Sequence, residues 1–501
     1  MRTVSTSIVA PTGGWNTRDP LDQMQERFAI KLLNLYPEQG SVRTRNGYAQ
    51  ACNLSNTATV ETLAELPLAS GISKLVAVCG GKIYEASGTT GVILESGIQD
   101  SKFQTTVMNG RLIMCNGVDA PRLYDGTSIS VGTYNAFYPN DVLVPSKLVQ
   151  VTQYKSRLYF VEKDSPNVWY GDTAAITGNL SKIDFSFLFH RGGNIAFIAP
   201  WSRDTGVGLA DYLTIVSSEG EVLVYEGSDP TSAATFGIAA RFFMPPPVAG
   251  RRGWVNLGSD LLIVHKSGIT PLSALLGGGG NARFAAITDA ISKSFLDAVT
   301  AYGDSQGWCA VYHPTGQSLY VNIPVTGAAE QYVLNPNTGA WGRYVGYNAK
   351  CWSLLEDKVL FGGAEGRIYR ADYGNTDNGT AIRSELKTAF NYFKDRGHIK
   401  RFTMARPIIY GPEGLSYTMG IDTNFNTGVS APVTSSGGAS AQWSVSLWDQ
   451  SLWGGAKLNS EDWYSLAALG RCASLSLGVE TSTGSVELFT ANITYEQGGL
   501  W

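Results

Sequence analysis

Ile83-Tyr84-Glu85-Ala86 is the first of several short segments in which an apolar residue, a tyrosine and a small or polar turn pair follow one another. The other clear copies are Leu123-Tyr124-Asp125-Gly126, Trp169-Tyr170-Gly171-Asp172, Val224-Tyr225-Glu226-Gly227 and Ile368-Tyr369-Arg370-Ala371. Tyr332-Val333-Leu334-Asn335 is a weaker copy, and a degenerate one lies around Ser267 to Leu275. Such segments are typical of a strand that ends where the chain reverses.

The spacing of these segments decides the fold. The first four tyrosines are 40, 46 and 55 residues apart, and the gap of 144 residues before Tyr369 contains the weaker and the degenerate copies. An apolar run of strand type precedes each copy, for example Leu75 to Val78 and Leu319 to Asn322. A period of roughly 40 to 50 residues with several short strands is that of propeller blades. The sequence therefore predicts an all-β protein with a β-propeller of six or seven blades.

The composition agrees with a strand-rich fold. The chain of 501 residues contains 57 Gly, 24 Tyr and 12 Trp, and only 16% of its residues are charged. Turn-formers and aromatic residues favour strands over long helices. The net charge of -4 gives no overall attraction to phosphate or to anionic lipid, so nucleic acid is not an evident high-affinity partner.

The sequence divides into three parts. Residues 1–60 are predicted to form an extended amino-terminal arm that docks onto a partner, with Arg18, Arg43 and Arg45 as its contacts. Within it, Met24, Phe28 and Leu32 have the spacing of an amphipathic helix. Residues 61–380 carry the propeller, interrupted by a helix with Ile291, Phe295 and Val299 on one face. The longer strands of residues 381–501 predict a β-sandwich-like platform domain.

Features that would indicate a membrane span, a metal or a cofactor are absent from the sequence. No stretch approaches the roughly 18 to 20 apolar residues of a membrane span, and Met1 to Gly14 lacks the apolar region of a signal peptide. We therefore expect the protein to be made in a cytoplasm. The six cysteines and four histidines are scattered without ligand spacing. The cysteines are best interpreted as small buried apolar residues.

One string has the form of a catalytic motif. Gly303-Asp304-Ser305-Gln306-Gly307 satisfies Gly-x-Ser-x-Gly, but a nucleophile elbow needs a strand before the serine and a helix after it. Here the predicted helix comes first, and the predicted strand with the only nearby base, His313, follows. The string is therefore interpreted as a loop, and we expect the protein not to be an enzyme.

Two sets of side chains are candidates for contacts with partners. The basic segment from Arg383 to Arg406 departs from the otherwise acidic chain, and its candidates for contact with a neighbouring subunit or with DNA are Lys394, Arg396, Lys400 and Arg401. A solvated strand face is the alternative interpretation. In the last domain, Trp448 and Trp453 lie five residues apart among Gly and Asp, which suits a contact loop.

Several of these stretches resemble one known family. Gly13-Gly14-Trp15-Asn16-Thr17-Arg18-Asp19-Pro20, with Asn34, Pro37 and Arg43-Thr44-Arg45-Asn46-Gly47-Tyr48, is similar to the amino-terminal signature of the packaged-DNA stabilisation proteins of podoviruses, also called tail nozzle or tail hub proteins. The stretch Val78-Cys79-Gly80-Gly81-Lys82-Ile83-Tyr84 resembles the sequence of a propeller blade in these proteins. The stretch from Arg401-Phe402 through Asp422 to Phe425, with the two tryptophans, resembles their ending.

The resemblance implies a structural, non-enzymatic protein of the virion tail that is assembled in the cytoplasm of a bacterial host. It would form a homo-oligomeric ring, often of six copies, below the portal and adaptor proteins. The ring would close the channel and retain packaged DNA until ejection, and DNA would touch it only transiently and non-specifically. Tail fibre, spike or needle proteins would dock around it. A carbohydrate-binding, receptor-recognising propeller of a tail is the alternative, and a hydrolase built on the propeller is a further one.

Overall fold

The computed structural model describes residues 3–204, 209–232, 234–277, 286–412, 415–426, 433–434, 457–460 and 462–500. Six short strands precede the first blade: β1 (Thr3–Val9), β2 (Gly14–Trp15), β3 (Phe28–Leu33), β4 (Leu35–Pro37), β5 (Val42–Thr44) and β6 (Tyr48–Asn53). Nearly all other regular structure in these residues is also β-strand, as the sequence predicts.

The described residues then form seven blades, each built on antiparallel strands that follow in chain order, with an added parallel strand in blade 3 and a strand from the amino-terminal segment in blade 7. Blade 1 contains β7 (Val60–Pro67), β8 (Ser73–Cys79), β9 (Lys82–Glu85) and β10 (Val92–Ser96). Blade 2 contains β11 (Gln104–Met108), β12 (Arg111–Cys115), β13 (Arg122–Tyr124) and β14 (Ile129–Val131). Blade 3 contains β15 (Tyr134–Ala136), β16 (Leu148–Tyr154), β17 (Arg157–Glu162), β18 (Asn167–Gly171) and β19 (Gly178–Asp184), with β15 added in parallel to β19. Blade 4 contains β20 (Ile195–Asp204), β21 (Leu209–Ser217), β22 (Glu221–Gly227) and β23 (Phe236–Phe243).

Blades 5 to 7 complete the ring. Blade 5 contains β24 (Trp254–Leu257), β25 (Asp260–His265) and β26 (Gly268–Pro271), and two helices follow it, α1 (Leu272–Gly277) and α2 (Ser292–Tyr302). Blade 6 contains β27 (Cys309–His313), β28 (Ser318–Ile323), β29 (Glu330–Asn335) and β30 (Ala340–Tyr344). Blade 7 contains β31 (Cys351–Leu355), β32 (Lys358–Gly362), β33 (Arg367–Ala371) and, from the amino-terminal segment, β6.

The predicted propeller is thus confirmed, and the tyrosine segments have a defined place in it. Each clear copy, the weaker copy and the degenerate one lie on the third strand of a blade, and the apolar runs before them form the second strands. The blades stack face to face, so both faces of these middle strands are buried. In β28, for example, all six residues are buried. This is why the sequence shows unbroken apolar runs rather than alternation.

The ring of blades is closed by packing of blade 7 on blade 1 and by one strand that the amino-terminal segment adds to blade 7. The first strand of blade 7, β31, packs on the first strand of blade 1, β7. An apolar cluster fills each gap between neighbouring blades. The fourth position of blade 7 is taken by β6, which pairs antiparallel with β33 from Tyr48 to Asn53.

The remaining strands form a platform of two packed sheets, as predicted. They are β34 (Thr376–Asp377), β35 (Thr380–Thr388), β36 (His398–Pro412), β37 (Tyr417–Thr423), β38 (Val433–Thr434), β39 (Lys457–Ser460), β40 (Tyr464–Gly470), β41 (Ala473–Thr481) and β42 (Glu487–Leu500). One sheet is built on β36 and β42 and the other on β35, β41 and β37. Their inward side chains share a core that also includes Trp15, Phe295, Trp308 and Trp341.

The amino-terminal segment is extended, but it does not stand free. β1 pairs with β42, β3 pairs with β35, and β2 lies between blade 6 and β3. One sheet therefore runs from blade 6 through β2, β3 and β35 to β6 and blade 7. The first 60 residues join the propeller and the platform instead of forming a separate docking arm.

Of the two helical predictions, one is confirmed and one is wrong. Phe295 is buried on α2, behind Ile291, as predicted. Phe28 and Leu32, in contrast, lie on strand β3. Pairing of β3 with β35 supplies backbone hydrogen bonds that a segment of only a few residues cannot gain as an isolated helix.

Candidate functional site

Arg45 is the centre of a polar joint between propeller and platform. Its side chain is 1% exposed and donates to both carboxylate oxygens of Asp377, at 2.8 and 2.6 Å. Further hydrogen bonds reach the Val345 carbonyl at 2.7 Å and the Asn34 amide oxygen at 3.0 Å. The guanidinium also lies 4.4 Å from the ring centroid of Tyr347. Arg45 therefore binds within its own subunit and is not free to dock onto a partner.

Glycines beside this joint allow the chain segments to approach closely. A Cβ atom on Gly47 would lie 1.9 Å from the Thr376 carbonyl oxygen. Gly14 has φ +82, and a Cβ atom there would lie 2.6 Å from the Trp341 carbonyl oxygen. Only glycine fits such positions without moving the backbone.

The other two arginines of the predicted arm also pair within the chain. Arg18 forms ion pairs with Asp19, at 2.7 Å, and with Asp289, and its side chain stays 46% exposed. Arg43 pairs with Glu38 and lies 5.2 Å from the ring centroid of Tyr36. Of the three predicted contacts, Arg18 has the most exposed side chain and is therefore the best placed to contact a partner.

The basic segment divides into one buried lysine and three exposed cations. Lys400 is fully buried, and its amine donates to the backbone carbonyls of Asp395, His398 and Arg471. Burial lowers the pKa of this amine. Because Lys400 caps carbonyls inside the platform, it cannot act as the subunit contact that the sequence predicts.

Lys394, Arg396 and Arg401 remain on the surface of the platform. Arg396 lies over the ring of Tyr392, 4.6 Å from its centroid. Arg401 is 71% exposed and has Glu496 at 3.8 Å. These three side chains are available for contacts with a neighbouring subunit. Trp448 and Trp453, the predicted aromatic contacts, lie outside the described residues.

A groove of about 600 Å³ runs along the outer face of the platform sheet β35, β41 and β37. Its charged lining consists of three cations and three carboxylates: Lys31, Arg383, Lys387, Glu385, Asp422 and Glu480. Lys387 and Asp422 form an ion pair at 2.6 Å. The groove therefore carries no formal net charge and is not suited to hold the phosphates of DNA.

A second cavity, of about 260 Å³, lies on the axis of the propeller. Residues of blades 1 and 2 line it together with residues that precede blades 5, 6 and 7, including Glu61, Lys102, Arg252 and Lys350. Because blades 1 and 2 are the farthest from blade 5 in a ring of seven, such a lining is found only near the axis.

Arg252 crosses this axis. From the loop before blade 5 its guanidinium donates to the Glu61 carbonyl at 2.9 Å, in blade 1, and to the Phe103 carbonyl at 2.7 Å, beside blade 2. The Thr62 hydroxyl is 3.0 Å away. The arginine thus ties three blades together across the axis.

Arg252 is not recognisable as a site residue from the sequence alone. Blade-to-blade contacts across an axis are not visible in a linear pattern. The signal that was present is the pair Arg251-Arg252 between Gly250 and Gly253, in a chain with a net charge of -4.

The string Gly303 to Gly307 lies in the predicted loop between α2 and β27. Ser305 is exposed there. His313 instead has its Nδ1 3.2 Å from an oxygen of Asp372, in blade 7. No group of three or more potential metal ligands occurs in the part of the chain that the structure describes. All six cysteines are buried and unpaired.

Comparison with known proteins gives structural neighbours alone. No family model and no curated protein matches the chain. Among solved structures, YCF48 from Cyanidioschyzon merolae is 13% identical, with a TM-score of 0.40 over 65% of this chain and 98% of that one. YCF48 bound to a D1 peptide is 12% identical, with a TM-score of 0.38 over 65% and 95%. Sqt1 of Saccharomyces cerevisiae is 10% identical, with a TM-score of 0.41 over 66% and 100%. The seven-bladed fold itself rests on the strand pairings described above.

Within the described residues, no helix has both the length and the apolar character needed to cross a membrane.

Proposed function

We propose that the protein is a structural component of the short tail of a bacteriophage, where copies of it form a ring below the portal and adaptor. The ring retains packaged DNA until ejection, and fibre, spike or needle proteins attach around it. One observation carries this proposal. Three of the residues on which the resemblance to tail nozzle proteins depends make close contacts where the amino-terminal segment joins propeller and platform: Gly14 with Trp341, Gly47 with Thr376 and Arg45 with Asp377.

The positions of these residues indicate that the shared motif serves the fold. Gly14 and Gly47 are required by close backbone approach, and Arg45 by a buried carboxylate. A chain with the same motif needs these residues to hold a propeller against a platform in one orientation. A ring that withstands the pressure of packaged DNA needs subunits with such a fixed internal geometry.

The electrostatics of the subunit support a channel along the axis of the ring rather than through each propeller. Arg252 reaches across the propeller axis to blades 1 and 2, and the platform groove carries balanced charge. A net charge of -4 favours DNA that slides without binding, since each phosphate contact adds salt-dependent affinity. Exposed Lys394, Arg396 and Arg401 are the candidates for contacts between subunits.

Electron microscopy of the purified protein, alone and added to portal and adaptor complexes, tests the proposal. We expect a closed ring on the complexes. Arg396→Glu with Arg401→Glu should slow ring formation, because interfacial charge mainly sets register and encounter rate. Lys163→Glu, an exposed reversal on blade 3, is the matched control. If the protein stays dispersed beside intact complexes, the proposal is wrong.

The carbohydrate-binding alternative is not favoured by the blade tyrosines. Tyr84, Tyr124, Tyr170, Tyr225 and Tyr332 are buried between blades, and Tyr369 is half-buried. They pack the ring and do not form a repeated set of open stacking platforms. A glycan array that shows several equivalent sites would reverse this preference.

A further inference from the structure

We propose that the cavity on the propeller axis is a binding site for a multiply charged oxyanion, a phosphate or a cluster of carboxylates. This inference is independent of the tail function. It rests on the charges around the cavity and on the way in which the structure satisfies them.

The cavity collects positive charge from separate parts of the chain. Four cationic side chains line it, from Lys102, Arg251, Arg252 and Lys350, against the single carboxylate of Glu61. The whole chain, in contrast, has more acidic than basic residues. Like charges in one cavity repel one another, so the arrangement is unfavourable unless a counter-charge joins it.

The two arginines have hydrogen bonds but no carboxylate partner. Arg252 donates to the Glu61 and Phe103 carbonyls, and Arg251 donates to the Ile195 and Ala196 carbonyls at 3.2 and 2.6 Å. In the described part of the chain, neither guanidinium lies within 4.0 Å of a carboxylate oxygen. Carbonyls orient the guanidinium groups without neutralising them. Both arginines are partly buried, and charges that are withdrawn from water are normally paired, so these two favour an anion in the cavity.

Arg251 shows the effect of this environment. Burial lowers its pKa to about 10, although the negative charge of Asp164 acts in the opposite direction. An anion in the cavity would favour the charged form and restore the ordinary pKa.

The size of the cavity limits the ligand. Its volume of about 260 Å³ is below the roughly 300 to 1,000 Å³ of sites for drug-sized ligands. Of its cations, Lys102 and Lys350 are exposed, whereas Arg251 and Arg252 are partly buried. Planar guanidinium groups bind phosphate and carboxylate oxygens in pairs. The site therefore fits a small phosphate compound or one or two acidic side chains of a polypeptide.

Calorimetric titration of the full-length protein at low salt tests the site with two probes, inorganic pyrophosphate and a tri-glutamate peptide. We expect saturable binding of one molecule per chain that weakens as salt is added. Lys102→Gln with Lys350→Gln should weaken binding by about tenfold or more, because two charge-assisted contacts are lost. Lys358→Gln, an exposed lysine of the same blade as Lys350, should bind like wild type.

Arg252→Gln provides a second variant, since the amide keeps a donor toward the carbonyls of blades 1 and 2 while the charge is removed. Its affinity should also fall by about tenfold or more. If it does not fold, the lysine pair still decides the question. Binding of pyrophosphate alone identifies a small phosphate as the ligand class, and binding of the peptide alone identifies an acidic polypeptide. Absence of binding by both, or binding that the lysine pair does not change, would overturn the proposal.

Discussion

Single residues hold the propeller and the platform together, and Arg45 is the clearest case. A buried guanidinium is costly unless its charge is paired and its donors are satisfied. Asp377 pairs with it, and the Val345 and Asn46 carbonyls accept further hydrogen bonds from the guanidinium. The cost of burial is thereby offset, and the pair fixes the position of the amino-terminal segment.

Arg45→Ala should therefore destabilise the protein strongly. Removing one partner leaves Asp377 as an uncompensated, largely buried carboxylate, and the expected loss in the free energy of unfolding is roughly 3 to 5 kcal/mol. Urea denaturation measures it. Arg383→Ala, in which the side chain is 75% exposed, should change stability by less than about 0.5 kcal/mol. Equal midpoints for the two variants would contradict this role of Arg45.

His265 gives a pH dependence with a definite sign. The ring is fully buried, its Nδ1 accepts the Ser267 N–H at 3.2 Å, and its Nε2 lies 2.8 Å from the Thr270 hydroxyl. Burial lowers the pKa of His265 to about 4, from about 6.5 in the unfolded chain. Between these values the unfolded state binds more protons, so the free energy of unfolding falls as the pH falls from about 6.5 to about 4.

The test compares urea unfolding at about pH 7 and about pH 4.5. Wild type should lose on the order of 2 kcal/mol more than His265→Gln between these two conditions. His190→Gln, at an exposed position, should keep the wild-type pH dependence. If His265→Gln has the same acid sensitivity as wild type, protonation of this ring does not limit stability.

At this scale the sequence was a partial guide to the site. It indicates Arg45, in the extended amino-terminal stretch, and Lys400, in the basic segment, as candidate contacts. It does not distinguish a surface contact from a buried, hydrogen-bonded cation. That distinction depends on Asp377 and on the Arg471 carbonyl, which are 332 and 71 residues away along the chain. The partners of Arg252, the Glu61 and Phe103 carbonyls, are likewise distant, at 191 and 149 residues along the chain.

The element that matters most is β6, because it supplies the fourth strand of blade 7 from the amino-terminal part of the chain. Without β6, strand β33 would present unpaired N–H and C=O groups at an exposed sheet edge, which promotes aggregation. β1 is different, since it lies at the edge of the platform and mostly faces solvent.

A pair of deletions separates these roles. Removal of residues 1–9 should give a soluble, folded chain, whereas removal of residues 1–55 should give aggregated protein, as judged by size-exclusion chromatography and circular dichroism. The short deletion serves as the control for the loss of the amino terminus itself. A monomeric, folded product of the long deletion would show that β6 is not required for closure.

Strands were easier to predict from the sequence than the turns between them. The apolar second strands and tyrosine-bearing third strands were visible because burial on both faces dictates their composition. Two hairpin turns, Lys155-Ser156 and Glu356-Asp357, have positive φ at both residues but contain no glycine or asparagine. The usual sequence signal for such turns is thus missing, and the flanking strands impose the geometry. The same tertiary pairing makes β3 a strand despite its helical spacing.

The whole molecule is one mechanical unit, although the sequence divides it into an arm, a propeller and a platform. A continuous sheet links blades 6 and 7 through β2, β3 and β35, and one apolar core contains platform and propeller residues together. Separate domains would have exposed linkers and few shared contacts. Here the amino-terminal strands pair with both propeller and platform, so a change that loosens one of them should also destabilise the other.

Ile493→Ala tests this coupling. Ile493 is fully buried on β42, in the platform, and belongs to the same core as Trp308 and Trp341 of the blade 6 region. Truncation should cost roughly 2 to 5 kcal/mol because the cavity cannot fully collapse. We expect the protein to unfold in one calorimetric transition that moves to lower temperature, with hydrogen exchange accelerated in blade 6 as well as in β42. Phe489→Ala, on the same strand but 42% exposed, should have a smaller effect. Two transitions, of which only one responds to Ile493→Ala, would mean that the platform and the propeller unfold independently despite their shared sheet.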